Sequence, residues 1–306
     1  MIKSLVNSSS FKMLNKEAMN LSHAYLFYSQ DKLLNNNLAE LFAMKLFCEN
    51  KMPCFNCEAC KRTILNKNPD LLIIDKDSIS VEDVANILDN SNLKPMIYAN
   101  KVVIIKNAET INEIAQNKLL KLLEEPTGSL TFILTTVNED RLLPTIRSRL
   151  KKVFLSLPDI NIVQDELIEQ NANVNLINSS FSLTEILENS NNSEFYQCLD
   201  LLQQVLIKLN STQDLPECVS MLKLTTRNKF IYLNLLDKIF SSKLEGGLFD
   251  EKLLFNIDTK FNDDLKIKCK GLIEKAYKQL RSNVNPNYVF DILFYSILKE
   301  KYISNK

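Results

Sequence analysis

Short runs of nearly unbroken apolar residues recur through the first half of the chain, at 24–29, 70–75, 101–106 and 130–136, with a weaker one at 152–155. Apolar character on both faces of so short a run predicts parallel strands covered on each side. Helical patterns fill the intervals. Ser80 with Asp83 forms a capping-box start for a helix over 81–90, and Thr110 with Glu113 does the same for one over 111–125. In the second helix Ile111, Ile114, Ala115, Leu119 and Leu122 recur at three- and four-residue steps, and Pro126 with Gly128 ends it. Strands alternating with helices imply right-handed crossovers and an open α/β sheet.

Beyond about residue 155 the pattern changes. Residues 156–192 are rich in Asn and Ser with short helical patches, which predicts a small helical lid. From Ser193 onward the apolar spacing is helical almost throughout. Phe195, Cys198, Leu199, Leu202, Val205 and Leu206 form one stripe, and Val289, Ile292, Leu293, Tyr295 and Ile297 lie in another apolar stretch. Such stripes read as the core of a helix bundle. The expected organisation is an α/β domain over 1–155, a lid over 156–192 and a helical domain over 193–306, α/β plus all-α.

With 37 basic and 37 acidic residues the formal net charge is zero, so no global electrostatic case exists for a nucleic-acid or membrane binder. No apolar run is long enough to span a bilayer and none at the start reads as a signal peptide, so a cytoplasmic protein is expected. Cys198, Cys218 and Cys269, scattered among apolar residues, read as buried free thiols.

The other four cysteines behave differently. Cys48, Cys54, Cys57 and Cys60 fall within thirteen residues and offer four thiolates, enough for a closed tetrahedral site. Zinc held by four sulfurs is structural, because no position remains where water can be activated. Lys51, Lys61 and Arg62 would offset part of the negative charge. Two rival readings stand beside it: an iron–sulfur cluster, which also uses closely spaced cysteines but usually with a fourth followed by proline, and four free or redox-active thiols. The only histidine, His23, is not needed as a ligand and reads as an anchor for the first strand.

A phosphate-binding loop should follow the first strand of such a sheet if the chain holds a nucleotide. It needs glycines so that backbone N–H groups can face phosphate, then Lys and Ser or Thr. Here the chain reads Ser29-Gln30-Asp31-Lys32-Leu33-Leu34-Asn35-Asn36-Asn37, and the first glycine anywhere is Gly128. The third strand runs into Lys106-Asn107-Ala108-Glu109, where acidic residues would hold magnesium in an ATPase. Glu109 alone reads as a vestige or as an ordinary residue near a helix start. ATP hydrolysis is not expected.

Several segments then carry a resemblance: His23-Ala24-Tyr25-Leu26-Phe27, the cysteine insertion, Asn117-Lys118-Leu119-Leu120-Lys121-Leu122-Leu123-Glu124-Glu125-Pro126, Thr135-Thr136 and Leu143-Pro144-Thr145-Ile146-Arg147-Ser148-Arg149, in that order. The chain resembles the delta-prime family of bacterial DNA polymerase III clamp-loader subunits, which are AAA+-like proteins with a RecA-type sheet. The match is dense over 20–155, weaker in the lid, and returns as a helical pattern over 262–300. The resemblance implies a heteropentamer with gamma/tau-type ATPase subunits and a delta subunit, which opens the sliding clamp and places it on primed DNA. It implies a stator without ATP of its own, a C-terminal collar that holds the assembly together, and an arginine finger at Arg149. Arg147 matches a less specific position. The family usually carries cysteine after the finger arginine; Leu150 stands there instead, which bears on packing more than on chemistry. An active motor subunit would need the missing loop. A zinc-containing nucleic-acid binder or scaffold of another AAA+ assembly would call for a basic patch with aromatics.

Overall fold

The computed structural model describes residues 2–91, 94–124, 129–179, 181–241 and 247–304. Contacts divide the chain into two compact units, Met1–Gln170 with Ser182–Thr184, and Asn171–Phe181 with Glu185–Lys306. The division runs through the 156–192 stretch rather than along its edges.

The first unit is built on a five-stranded parallel sheet: β1 (Ala24–Tyr28), β2 (Leu71–Ile74), β3 (Lys101–Ile105), β4 (Leu130–Thr136) and β5 (Lys151–Phe154), in the order β2-β3-β4-β1-β5. The three central strands are buried along almost their whole length, as their unbroken apolar runs require. At the edges β2 is half-buried and β5 exposes all but Val153. His23 serves β1 through its backbone, its carbonyl accepting from Phe132 N at 2.8 Å.

Helices α1 (Ser9–Glu17), α2 (Lys32–Phe47), α3 (Glu58–Ile64), α4 (Val81–Ser91), α5 (Glu113–Glu124), α6 (Pro144–Arg147) and α7 (Ile160–Glu169) complete the unit. Period-two alternation sorts β1 between the two faces. Ala24 and Leu26 join Val103, Phe132 and the α5 residues Ala115, Leu119 and Leu122 in one apolar cluster. Tyr25 and Phe27 meet Phe42 of α2 with ring centroids 5.4 and 5.6 Å apart, edge-on geometry worth roughly 0.5–1.5 kcal/mol per pair beyond burial.

The Ser80–Asp83 capping box forms reciprocally: Ser80 N donates to Asp83 Oδ2 at 2.9 Å, and Asp83 N to Ser80 Oγ at 3.2 Å. The Thr110–Glu113 box does not. Ile111 is extended because it bridges Ile79 of the preceding connection, so the helix begins two residues later. Asn112 then caps it, accepting from Ala115 N at 2.9 Å, while Thr110 Oγ1 donates to Asn107 O. Ile114 also departs from the expected stripe, since it turns away from the face set by Ala115, Leu119 and Leu122 and is 69% exposed. The Glu125-Pro126 step and Gly128 lie outside the described residues.

The second unit is helical: α8 (Val174–Asn178), α9 (Leu183–Asn189, from Glu185 on), α10 (Ser193–Lys208), α11 (Leu215–Met221), α12 (Asn228–Ile239), α13 (Glu251–Lys260), α14 (Asp263–Arg281) and α15 (Pro286–Ser304). Phe195, Cys198, Leu199, Leu202 and Val205 of α10 are buried, as the stripe requires. On α15 Val289, Leu293 and Ile297 face inward, whereas Ile292 and Tyr295 are exposed. Cys198, Cys218 and Cys269 are buried and unbridged, and desolvation pushes the Cys269 thiol up to about 12. Among the described residues no helix is long and apolar enough to cross a membrane.

Candidate functional site

The start of α2 is where a phosphate would sit if the first strand led into a nucleotide loop, because orphan N–H groups and the helix dipole point there. Only three residues separate β1 from α2, and the place is filled by the chain itself. Asp31, 2% exposed, accepts from Leu34 N at 3.1 Å, from Leu183 N at 2.6 Å and from Thr184 Oγ1 at 2.6 Å. Thr184 Oγ1 in turn accepts from Leu33 N at 2.9 Å. Two first-turn N–H groups are thus spent on side chains, and a fixed carboxylate stands at the positive end of the helix. The following asparagines are buried and satisfied. Asn35 Nδ2 donates to Thr136 O at 2.8 Å, Asn36 Oδ1 accepts from Thr135 Oγ1 at 2.6 Å, and Asn37 Oδ1 accepts from Ile2 N at 2.7 Å. They bolt α2 to β4 and to the N-terminal segment.

The end of β3 is equally committed. Lys106 Nζ lies 2.8 Å from Glu40 Oε1 and 2.9 Å from Asp75 Oδ2. Burial pulls its pKa down, but the two carboxylates outweigh burial and hold it above the ordinary lysine value. Glu109, which the sequence left between a vestige and an ordinary residue, accepts from Thr136 Oγ1 at 2.6 Å.

The four cysteines converge as their spacing demands. Cys48 caps the C-terminus of α2, Cys57 is the N-cap of α3, Cys60 lies on α3, and Cys54 comes from the connection between. Lys51 and Phe55 adopt left-handed backbone, φ 59° and 57°, and so let this short connection fold back. The four Sγ atoms lie within 4.8 Å of one another, with Cys48–Cys54 at 3.6 Å and Cys48–Cys57 and Cys54–Cys60 at 3.9 Å. A tetrahedral ion with metal–sulfur bonds of ~2.3 Å places its sulfurs about 3.8 Å apart, so the donor set fits one such ion. A multi-iron cluster interposes sulfide and further metal between the thiolates and needs them more widely spread.

Backbone N–H groups of Asn56 and Cys57 hold the Cys54 thiol down, at about 6, whereas burial pushes Cys48 and Cys60 up. Without a cation, four thiolates at these separations repel one another strongly. A dication neutralises half of that charge.

Arg149 follows the single turn of α6. Its Nη2 lies 2.6 Å from Glu124 Oε1, its Nη1 donates to Thr145 O at 2.8 Å, and its side chain is 34% exposed. Arg147 takes a different partner, Asp140 Oδ1 at 3.0 Å. Leu150 packs into the sheet cluster, 6% exposed. Sequence reasoning singled out the cysteines and Arg149 but not Asp31, Thr184 or Glu124. An Asp immediately before a helical run is a recognised cap signal and was available; its contact with Thr184 spans 153 residues and was not.

A model of the family described as DNA polymerase III, delta subunit, matches residues 7–159. The chain is similar to DNA polymerase III subunit delta' of Bacillus subtilis, 32% identical over 183 residues covering 57% of this chain and 56% of that one. It is similar to the delta' subunit of Pseudomonas aeruginosa, 33% identical over 144 residues, 45% of this chain and 44% of the other. Subunit tau/gamma of Haemophilus influenzae is 35% identical over 151 residues, which cover 48% of this chain and 22% of that one. The chain thus spans about half the length of the delta' relatives it matches. Among solved structures, a DNA polymerase III gamma-subunit-related protein from Thermotoga maritima superposes with TM-score 0.50 at 18% identity, covering 96% of this chain and all of that one, a likeness of fold.

Proposed function

Because the chain belongs to the DNA polymerase III delta-subunit family, we propose that it acts in the clamp loader as a subunit without nucleotide, completing the ATP site of a neighbour. The observation that carries the reading is the start of α2. Asp31 occupies the place a phosphate needs, Thr184 consumes a further N–H, and no glycine precedes position 128. An anion entering there would meet a fixed negative charge instead of free donors. Lys106, locked to Glu40 and Asp75, stands where magnesium would be held.

Arg149 supplies the active contribution in this reading. An arginine offered in trans stabilises charge on the transferring phosphoryl group, an effect worth about 10³–10⁵ in rate where it acts fully. Its planar fork can meet two phosphate oxygens at once. The four thiolates hold structural Zn²⁺: their separations suit a tetrahedral ion, and four sulfurs leave no position for reactive water. The helical unit serves as the collar through which the chain joins gamma/tau-type ATPases and a delta subunit, and through the complex it meets the sliding clamp and primed DNA.

The test has two arms. Calorimetric titration of the isolated chain with Mg·ATP is expected to give no binding at micromolar concentrations. Mixing the chain with the gamma/tau-type and delta subunits of the same organism is expected to give one co-eluting complex. Micromolar nucleotide affinity, or failure to co-assemble, contradicts the reading.

A further inference from the structure

We propose that Glu124 is a positioning residue for Arg149, the last turn of α5 serving to aim the guanidinium that a neighbouring subunit's nucleotide receives. The inference rests on the reading of Arg149 as the arginine acting in trans. It starts from a segment that reading leaves unused, the Leu122-Leu123-Glu124 end of α5.

An arginine side chain has four rotatable bonds, and its value to a transition state depends on where the planar head is held before the phosphoryl group arrives. The backbone at Arg149 is secured: its N–H donates to Ile146 O at 3.0 Å, and Ile146 and Leu150 on either side are buried. The head is secured at two corners. Glu124 Oε1 takes Nη2 at 2.6 Å, and Thr145 O takes Nη1 at 2.8 Å, with Ser148 Oγ a longer contact at 3.4 Å. The backbone that carries Glu124 is anchored by Leu122 and Leu123, which are 4% and 2% exposed and pack in the sheet cluster. Two corners of a five-donor fork are thus engaged by rigid elements of this chain. Among the described residues Nε and the remaining N–H groups take no other partner, and the side chain is one-third exposed.

The same contact read as a lock would hide the arginine until something displaced Glu124. Exposure decides between the two. Arg149 and Glu124 are 34% and 50% exposed, and a pair so open to water is a weak lock, yet it still narrows the rotamers of a long side chain. Loss of Glu124 therefore slows the neighbour's hydrolysis; a lock would speed it. Arg147 offers the contrast, for its partner Asp140 sits on a short 3-10 helix, Glu139–Arg141, and is 86% exposed.

The experiment uses the reconstituted complex and single-turnover ATP hydrolysis, with steady-state KM for ATP measured alongside. Glu124→Ala is expected to lower the hydrolysis rate at the neighbour's site about five-fold, because the Thr145 carbonyl still holds one corner. KM and complex assembly are expected to stay unchanged, since in this role Glu124 acts through Arg149 and not on the nucleotide. Glu124→Gln keeps an oxygen acceptor and recovers most of the rate. In an Arg149→Ala background, Glu124→Ala is expected to add no further loss. A normal or faster rate for Glu124→Ala, or a loss that adds to that of Arg149→Ala, overturns the positioning role and leaves the Arg149 reading standing. Arg149→Ala without effect removes that reading itself, and the positioning role with it.

Discussion

Replacing Asp31 by alanine is expected to destabilise the first unit far more than loss of an ordinary helix cap. The carboxylate is buried and accepts three bonds, from Leu34 N, Leu183 N and Thr184 Oγ1. The cap bond alone is worth ~1 kcal/mol. Each of the other two is a hydrogen bond to a charged group, worth roughly 1.5–3 kcal/mol, and when the acceptor goes the Leu183 N–H is left buried and the Thr184 hydroxyl half-buried. Their sum is ~4–7 kcal/mol. Water entering the vacated space recovers part of it, so the expected net loss is about 4 kcal/mol. Against a native stability of ~5–15 kcal/mol that is large, and it lowers the melting temperature of a unit this size by about 8–16 °C. Asp31→Asn keeps one acceptor and is expected to cost about half as much. Thr184→Val, which removes a donor to Asp31 and the acceptor for Leu33 N, falls between about 1 and 3 kcal/mol. Because two units unfold in one chain, the assay should be urea denaturation combined with amide exchange at Leu33, Leu34 and Leu183. A loss below about 1 kcal/mol for Asp31→Ala, with exchange at Leu34 unchanged, would refute the internal occupation of the helix start.

Elemental analysis is expected to give about one zinc per chain; Cys60→Ser, removing the most buried thiolate, should release it and destabilise the first unit. Absence of metal, or iron with sulfide absorbance, would count against the assignment. At Asp70 burial acts to raise the pKa, but N–H donors from Met96, Tyr98 and Ile97 outweigh it and hold the carboxyl below the usual range. A depressed folded pKa means its stabilisation is fully present above the unfolded value, ~3.9, and is lost as pH falls through the folded one. Amide exchange at Met96, Ile97 and Tyr98 is therefore expected to stay slow from pH 7 to about 4 and to gain an opening component below that. Unchanged protection at pH 2 would contradict this.

The sheet was legible because its signal is local: a strand covered on both faces reads as an unbroken apolar run, and all five runs became strands within about a residue of their ends. The cysteine cluster was legible for the same reason, its four thiols being confined to thirteen positions. What escaped depended on partners distant in sequence. The start of α5 was misplaced because a bridge to Ile79, thirty-two residues earlier, keeps Ile111 extended. Asn35, Asn36 and Asn37 read as a polar stretch lacking glycine, and nothing local says that two of them fasten α2 to β4. The lack of any glycine before Gly128 was plain in the sequence; that Asp31 and Thr184 accept the first-turn N–H groups of α2 was not.

The central claim is that this chain contributes chemistry to an ATP it does not hold, and Arg149→Ala in the reconstituted clamp loader tests it most directly. The measurement is DNA- and clamp-stimulated ATP hydrolysis together with the clamp-loading rate, with Arg147→Ala as the control that removes a neighbouring guanidinium of different partner. The prediction is intact assembly, a partial fall in total hydrolysis as one of several sites fails, a larger fall in loading, poor rescue by Arg149→Lys, and near-normal behaviour of Arg147→Ala. Normal hydrolysis and loading by Arg149→Ala would contradict the account and leave this arginine a surface cation paired with Glu124.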